Sequence, residues 1–229
     1  MRAMILAAGR GERMRPLTDS TPKPLLKVKG IPIIEHQIKK LVSAGISDIV
    51  INLAWLGQHI SDYLGDGSRF RCRIHYSDEG SALETAGGII KALPLLCPDD
   101  YSDQFLVVNG DIFHDVDLSD VIETSQQLNV NNDAHIVLVD NPIHHPKGDF
   151  AFTSPFVSLK SENSASYTFA GIAIYHKRCF DSLAVDKLPL GPMLRHMAER
   201  GVLTGHLHNG FWCDVGTPER LAWLNELEW

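Results

Sequence analysis

Hydrophobic and polar positions along this chain alternate between two rhythms. Short apolar or β-branched runs at Met4–Leu6, Asp48–Leu53, Arg73–Tyr76, Phe105–Val108 and His135–Val139 read as strands. Helical spacing fills the gaps. Ile34, Ile38, Leu41 and Val42 make one stripe that ends at Gly45, and Leu118, Val121, Ile122 and Leu128 make another. Trp55–Leu64 reads as helical up to the Gly65-Asp66-Gly67 turn, and Ile89–Leu93 sits in a short helix that Pro94 helps to end. Strand and helix in regular succession predict an α/β, Rossmann-like architecture: a mixed, mostly parallel sheet with helices on both faces.

The rhythm changes after Asp140. Phe150–Phe152, Phe156–Leu159 and Tyr167–Tyr175 are strand-like with turn residues between them. They predict a small β-rich insertion, an antiparallel ribbon packed beside the main sheet. Helices are expected around Leu190–Arg200 and from Pro218 onward, where Thr217 can cap and proline fits the first helical position. With no repeat and no low-complexity linker, residues 1–229 read as one domain.

Composition narrows the class. A chain of 229 residues buries about 70% of its unfolded surface without staples. With 44% hydrophobic and 21% charged residues it falls among globular proteins. Its apolar runs break well before the ~18 residues of a membrane span, and no signal-peptide stretch opens the chain. The expectation is a cytosolic protein without membrane partners. Cys72, Cys97, Cys179 and Cys213 show no Cys-x-x-Cys spacing and read as free thiols, and His144-His145-Pro146 reads as a loop.

A net charge of -7 argues against nucleic acid as a partner. The sum conceals an asymmetry, because residues 1–29 carry seven basic residues against Glu12 and Asp19. A local positive region on an acidic chain suits a compact anion held by one loop; charge alone leaves a solvated basic surface equally open.

The loop itself is more specific. Leu6-Ala7-Ala8-Gly9-Arg10-Gly11-Glu12-Arg13-Met14-Arg15-Pro16-Leu17-Thr18, followed by Pro22-Lys23-Pro24, leaves the end of the first strand, where open parallel sheets bind ligands. Gly9 and Gly11 let backbone N–H groups close on phosphate oxygens, and Arg13, Arg15 and Lys23 add full charges. It is neither a Walker A loop nor a dinucleotide fingerprint, since Met14 stands where the latter needs glycine. A second candidate is Asn109-Gly110-Asp111 at the end of the fourth strand. A third is Asp214 in Phe211-Trp212-Cys213-Asp214-Val215-Gly216-Thr217-Pro218. Such carboxylates suit Mg²⁺, which takes one or two of them with phosphate oxygens and water. Asp115-Val116-Asp117 offers an Asp-x-Asp pair, though Asp117 fits better as the cap of the following helix.

These residues closely resemble the signature of the sugar-1-phosphate nucleotidylyltransferases. Leu83-Glu84-Thr85-Ala86-Gly87-Gly88, Asn109-Gly110-Asp111, Asp140-Asn141-Pro142, Gly148-Asp149-Phe150 and Trp212-Cys213-Asp214-Val215-Gly216-Thr217 extend the likeness over nearly the whole chain. They match most closely the subgroup that uridylylates N-acetylmuramate 1-phosphate in peptidoglycan recycling. The resemblance implies a GT-A-like nucleotidyltransferase fold, with about residues 1–140 binding nucleotide and about 141–229 binding sugar. It implies UTP and a sugar 1-phosphate as substrates, Mg²⁺ as cofactor and a monomer in the cytoplasm.

By the same resemblance Arg13 and Lys23 are catalytic, holding the pyrophosphate end and the α-phosphate. Ala7, Ala8, Gly9, Arg10, Gly11, Glu79, Glu84 and Thr85 join them around the nucleotide. Asn109, Asp140, Gly148 and Gly171 meet the sugar phosphate, and Asp111 and Asp214 hold the metal. His144, His145 and Lys147 are candidates for the carboxylate of the muramate lactyl ether. The Glu-Lys-Pro segment that holds the sugar phosphate in larger members has no legible counterpart around Lys160-Ser161-Glu162. The chain ends at Trp229, with no room for the β-helical domain that some members carry. Glucose-1-phosphate or mannose-1-phosphate transferases using UTP, dTTP or GTP are the alternatives within the family. Outside it stand an inert nucleotide-sugar sensor on the same fold and a metal-dependent glycosyltransferase, which would not need Arg13 and Lys23 for a leaving pyrophosphate.

Overall fold

The computed structural model describes all residues except 100, 128–130, 163 and 229, and leaves aside the side chain at 127. In chain order the elements are β1 (Arg2–Leu6), β2 (Lys27–Val28), β3 (Ile31–Pro32), α1 (Ile33–Ser43), β4 (Asp48–Leu53), α2 (Gly57–Leu64), β5 (Arg73–Asp78) and α3 (Glu84–Leu96). Then come β6 (Gln104–Asn109), β7 (Ile112–His114), α4 (Leu118–Gln127), β8 (Ala134–Val139), β9 (Ala151–Thr153), β10 (Phe156–Ser158) and β11 (Thr168–His176). The chain continues with α5 (Leu190–Glu199), β12 (Leu203–Leu207), β13 (Trp212–Asp214) and α6 (Pro218–Glu226). Leu128, expected on the stripe of α4, lies outside the described residues.

Nine strands form one sheet in the order β5-β4-β1-β6-β11-β8-β12-β10-β9, and all but β11 and β10 run the same way. Alternate strand residues face opposite helical layers, as the two-residue period of a strand requires. Ala3, Ile5, Ile49, Ile51, Leu106 and Val108 pack with Ile34, Ile38 and Leu41 of α1, Ile60 and Leu64 of α2, and Leu118 and Val121 of α4. Met4, Val50, Phe105 and Val107 pack with Ala86, Ile89 and Ile90 of α3 and Leu190, Leu194 and Met197 of α5. The fold is therefore the mixed, mostly parallel sheet with helices on both faces that the periodicity predicts.

Two local expectations are corrected. The ribbon after Asp140 does not lie beside the sheet. Its long strand, β11, enters the middle, antiparallel to both β6 and β8. Residues Ala170–Tyr175 are buried on both faces, and a strand apolar on both sides is stable only between neighbours and under two layers. The helix that holds Ile89–Leu93 spans Glu84–Leu96, and it ends two residues beyond Pro94 rather than at it. Pro94 sits in the last turn, where its missing N–H forgoes one bond, and burial of Ile89, Ile90, Ala92 and Leu96 outweighs that loss.

A buried polar pair spans β8 and β12. His135 Nδ1 lies 3.1 Å from Thr204 Oγ1, and its Nε2 lies 2.9 Å from His206 Nδ1. Burial, then the neighbouring His206, pushes the His135 pKa down from 6.5 to about 4. Burial likewise lowers His114 to about 3. A histidine depressed in the folded state contributes stability that is complete above pH 6.5 and lost as pH falls toward 4. We expect the urea midpoint to drop on going from pH 7 to pH 5, with His135 accounting for up to about 3 kcal/mol by pH 4. His135→Gln should flatten this pH dependence; an unchanged slope would count against neutral burial of that ring.

Candidate functional site

The first loop leaves the C-terminal end of β1 and folds as three single turns, Glu12–Met14, Leu17–Asp19 and Lys23–Leu25. Gly11 adopts φ +67°, the left-handed region that a side chain resists, and its carbonyl accepts from Met14 N (2.9 Å) and Thr18 Oγ1 (2.8 Å). Arg10 turns away from the sheet end. Its guanidinium bonds Thr18 O and Asp19 (both 2.7 Å) and stacks 3.9 Å over the Trp55 ring. Arg15 pairs with the same Asp19 (2.9 Å). These contacts leave Arg13 and Lys23 as the loop's cations in the cleft that it closes.

That cleft has a volume of about 370 Å³. Ala7, Ala8, Gly9, Gly11, Arg13, Lys23, Glu79, Glu84 and Thr85 line it with Asn109, Gly110, Asp111 and Gly216. Of the positions assigned to the nucleotide, Arg10 is the one outside the lining. The floor is a buried polar relay that sequence reasoning did not anticipate. Asn52, at 3% exposure, accepts the Ala7 N–H on Oδ1 (2.7 Å) and donates from Nδ2 to Glu79 Oε1 (2.6 Å). Glu79 Oε2 in turn accepts the Leu83 N–H (2.8 Å) just before α3. One amide thus fixes the start of the loop against the start of the helix across the cleft. Asn52 sits inside the apolar run Asp48–Leu53, and a polar residue one position from a strand's C-terminal end was the available signal.

The two acidic candidates come together through backbone. Gly110 N–H bonds Leu6 O (2.9 Å), and a Cβ there would press on that carbonyl, so glycine lets β6 run on past β1. β7 then pairs with β13, placing Asp214 opposite Ile112, and Val215 N–H bonds Asp111 O (2.7 Å). Asp111 Oδ2 accepts from Lys23 Nζ at 2.5 Å. Asp214 Oδ1 accepts from Arg220 Nη1 at 2.5 Å, with His144 Nε2 at 2.9 Å. Among the described residues no three His, Cys, Asp or Glu side chains converge as a metal cage. Asp111, in the turn before β7, lines the cleft, and Asp214, at the end of β13, stands outside the lining beside Gly216; two such hard carboxylates fit Mg²⁺, which completes its shell with phosphate oxygens and water. Asp117 caps α4 through the Ser119 N–H (2.8 Å), and Asp115 pairs with His208 (2.7 Å); neither lines the cleft.

A second cleft, of about 660 Å³, adjoins the first and shares Glu84, Thr85 and Asn109 with it. Gly148, His145, Asp149, Phe150, Phe169 and one face of α5 line the rest. Gly171 lies against the Asn109 side chain. Asp140 and Lys147 are exposed and outside the lining, and His144 reaches Asp214 instead. The cations here are Lys160, whose Nζ donates to Gly148 O (2.6 Å) and Lys147 O (3.1 Å), and Arg195 of α5. Sequence reasoning singled out neither as a charge for this cleft. All four cysteines are free; burial raises Cys97 and Cys213 to about 11 and Cys179 to about 12, so these stay thiols at neutral pH.

Residues 2–148 match the model of the nucleotidyl transferase family. Over 225 residues the chain is 48% identical to an N-acetylmuramate alpha-1-phosphate uridylyltransferase of Neisseria meningitidis, covering 96% of this chain and 95% of that one. It is 30% identical over 231 residues to a mannose-1-phosphate guanyltransferase of Gibberella zeae, of which it spans 62%. A crystal structure of a putative glucose-1-phosphate thymidylyltransferase from Bacillus anthracis superposes with a TM-score of 0.83 at 23% identity, covering 100% of this chain and 97% of that one. No described helix is long and apolar enough to cross a membrane.

Asn52→Ala would leave the Ala7 N–H and one oxygen of Glu79 buried without partners. We expect a loss of about 2 kcal/mol in urea unfolding and weaker UTP binding by calorimetry. Unchanged values in both measurements would remove Asn52 from the architecture of the cleft.

Proposed function

Because this chain belongs to the nucleotidyl transferase family, we propose that it transfers UMP from UTP to N-acetylmuramate 1-phosphate, giving UDP-N-acetylmuramate and pyrophosphate, in the cytoplasm and for peptidoglycan recycling. The observation that carries this reading is the junction of the two clefts, where Asn109, Thr85 and Glu84 border both and the Lys23–Asp111 pair stands alongside. Near-full-length identity to the Neisseria uridylyltransferase supports the choice of base and sugar.

In this reading residues 1–140 hold the nucleotide and 141–229 the sugar. An oxygen of the sugar phosphate attacks the α-phosphorus of UTP, a P–O bond forms, and the bond to the β-phosphate breaks to release pyrophosphate. The nucleophile is already an anion, so no general base is needed, and positioning with charge neutralisation does the catalysis. Lys23 leaves Asp111 for the α-phosphate, where negative charge grows in the transition state. Arg13 meets the pyrophosphate end, and the backbone from Ala7 to Gly11 cradles the triphosphate. Asn109, Gly148 and Gly171 border the reacting sugar phosphate, and Asp140 stands exposed outside the cleft lining. Asp111 and Asp214 hold Mg²⁺, which when bound supplies positive charge to the phosphate oxygens. Lys160 and Arg195 give the sugar side two permanent cations, the counter-charge that a phosphate and a lactyl carboxylate together require.

Asp111→Asn and Asp214→Asn keep shape and remove a hard ligand; each should lower turnover at least ~100-fold with little change in melting temperature. Near-normal pyrophosphate release from both variants would sink the metal assignment. Lys23→Ala should depress kcat more than it raises KM for UTP, since contacts selective for the transition state act on the chemical rate.

A panel of nucleoside triphosphates crossed with sugar 1-phosphates, read by pyrophosphate release, tests the substrates. We expect N-acetylmuramate 1-phosphate to exceed N-acetylglucosamine 1-phosphate by about 10–100-fold in kcat/KM with UTP, the range for a half-exposed carboxylate contact. Equal efficiency would remove the muramate reading and leave nucleotidyl transfer standing.

A further inference from the structure

We propose that Arg220 is a positioning residue that stands in for a divalent cation at Asp214, holding that carboxylate at the cleft rim and competing with the metal for it. The proposal rests on the reading of Asp111 and Asp214 as cation ligands. Its observations are independent of that reading. The Arg220 side chain is 18% exposed and donates from Nη1 to Asp214 Oδ1, itself 22% exposed. The same nitrogen lies 2.6 Å from His144 Nε2, so two side chains, Arg220 and His144, converge on one carboxylate oxygen. The guanidinium passes directly over Gly216, a residue of the nucleotide cleft, and any Cβ at 216 would overlap it. Glycine at that position is what lets the arginine reach Asp214.

The two acidic residues then differ in how they are released. Lys23 has a second anion to move to, because the triphosphate enters the cleft that Lys23 lines. Arg220 has a fixed base: it lies in the first turn of α6, where its N–H bonds the capping Thr217 Oγ1 (3.4 Å) and where buried Leu224 anchors the helix. A guanidinium held there keeps its partner until another cation takes the oxygen. Removing this charge therefore favours the metal, in the direction opposite to the loss of a ligand.

The test is titration of Mn²⁺ without nucleotide, read by the electron-spin-resonance signal of free Mn²⁺. Arg220→Gln should bind Mn²⁺ about 10-fold more tightly than the native chain, the scale of a partly exposed ion pair. Gly216→Ala, whose Cβ would overlap the guanidinium while meeting Asp214 Oδ2 at 3.1 Å, leaves Arg220 itself unaltered; it should shift affinity the same way and guards against a folding defect in the first variant. Asp214→Asn should weaken binding. If Asp214→Asn weakens binding while Arg220→Gln and Gly216→Ala bind no more tightly than the native chain, the role of Arg220 is overturned and the metal reading stands. If Asp214→Asn binds as the native chain does, the metal reading fails and this proposal falls with it.

Discussion

The sheet is held as one piece by β11, the antiparallel strand that bonds β6 on one side and β8 on the other. Its residues Ala170, Ile172 and Ile174 enter one helical layer while Ala173 and Tyr175 enter the other. The second cleft and its border with the first depend on this insertion. Pairing of Ile172 with Val108 brings Gly171 against Asn109, and a register shift between Phe169 and Ala173 bends the strand there. Bulges commonly re-aim side chains beside functional sites. Phe169 and the Asp149 loop are thereby set in the second cleft, while the ends of β1, β4 and β6 border the first.

The chemistry of the clefts is an exercise in paired charge. Two carboxylates at or beside the first cleft are matched by basic side chains, Asp111 by Lys23 and Asp214 by Arg220. Unmatched carboxylates there would repel a triphosphate. Matched ones leave Arg13 as an exposed positive charge on the lining. Arg10 and Arg15, basic residues of the same loop, are committed to Asp19 and hold its shape.

What the sequence disclosed and what it withheld divide along one line. Local signals survived. The strands Asp48–Leu53 and His135–Val139, the stripe of α1, the cap at Thr217 and the glycine-rich loop all depend on neighbours in sequence. Features decided by distant partners did not. β12, Leu-Thr-Gly-His-Leu, has no alternation and is a strand because β8 lies beside it. The position of β11 depends on which strands flank it, and its apolar run alone fits an edge ribbon as well as a centre. At the site, the loop charges Arg13, Arg15 and Lys23 could be named from the sequence and the family resemblance singled out Arg13 and Lys23, but the commitment of Arg15 to Asp19 and the separation of Arg10 from the cleft turn on tertiary partners, and the entry of Lys160 and Arg195 on two segments that meet only in three dimensions.

The central placement of β11 also governs how the chain is made. Strands β5, β4, β1 and β6 are complete once Asn109 has been synthesised, and they can pair among themselves by local, parallel crossovers. The outer side of β6 then waits, its N–H and C=O groups unpaired and Phe105 to Val108 uncovered, until Thr168–His176 emerges. During that interval the nascent protein presents an open apolar edge, the kind that pairs with whatever strand reaches it first. The interaction that unites the sheet thus cannot form until β11 has followed α4 and β8 out of synthesis, and α5, β12 and α6 are added only after it.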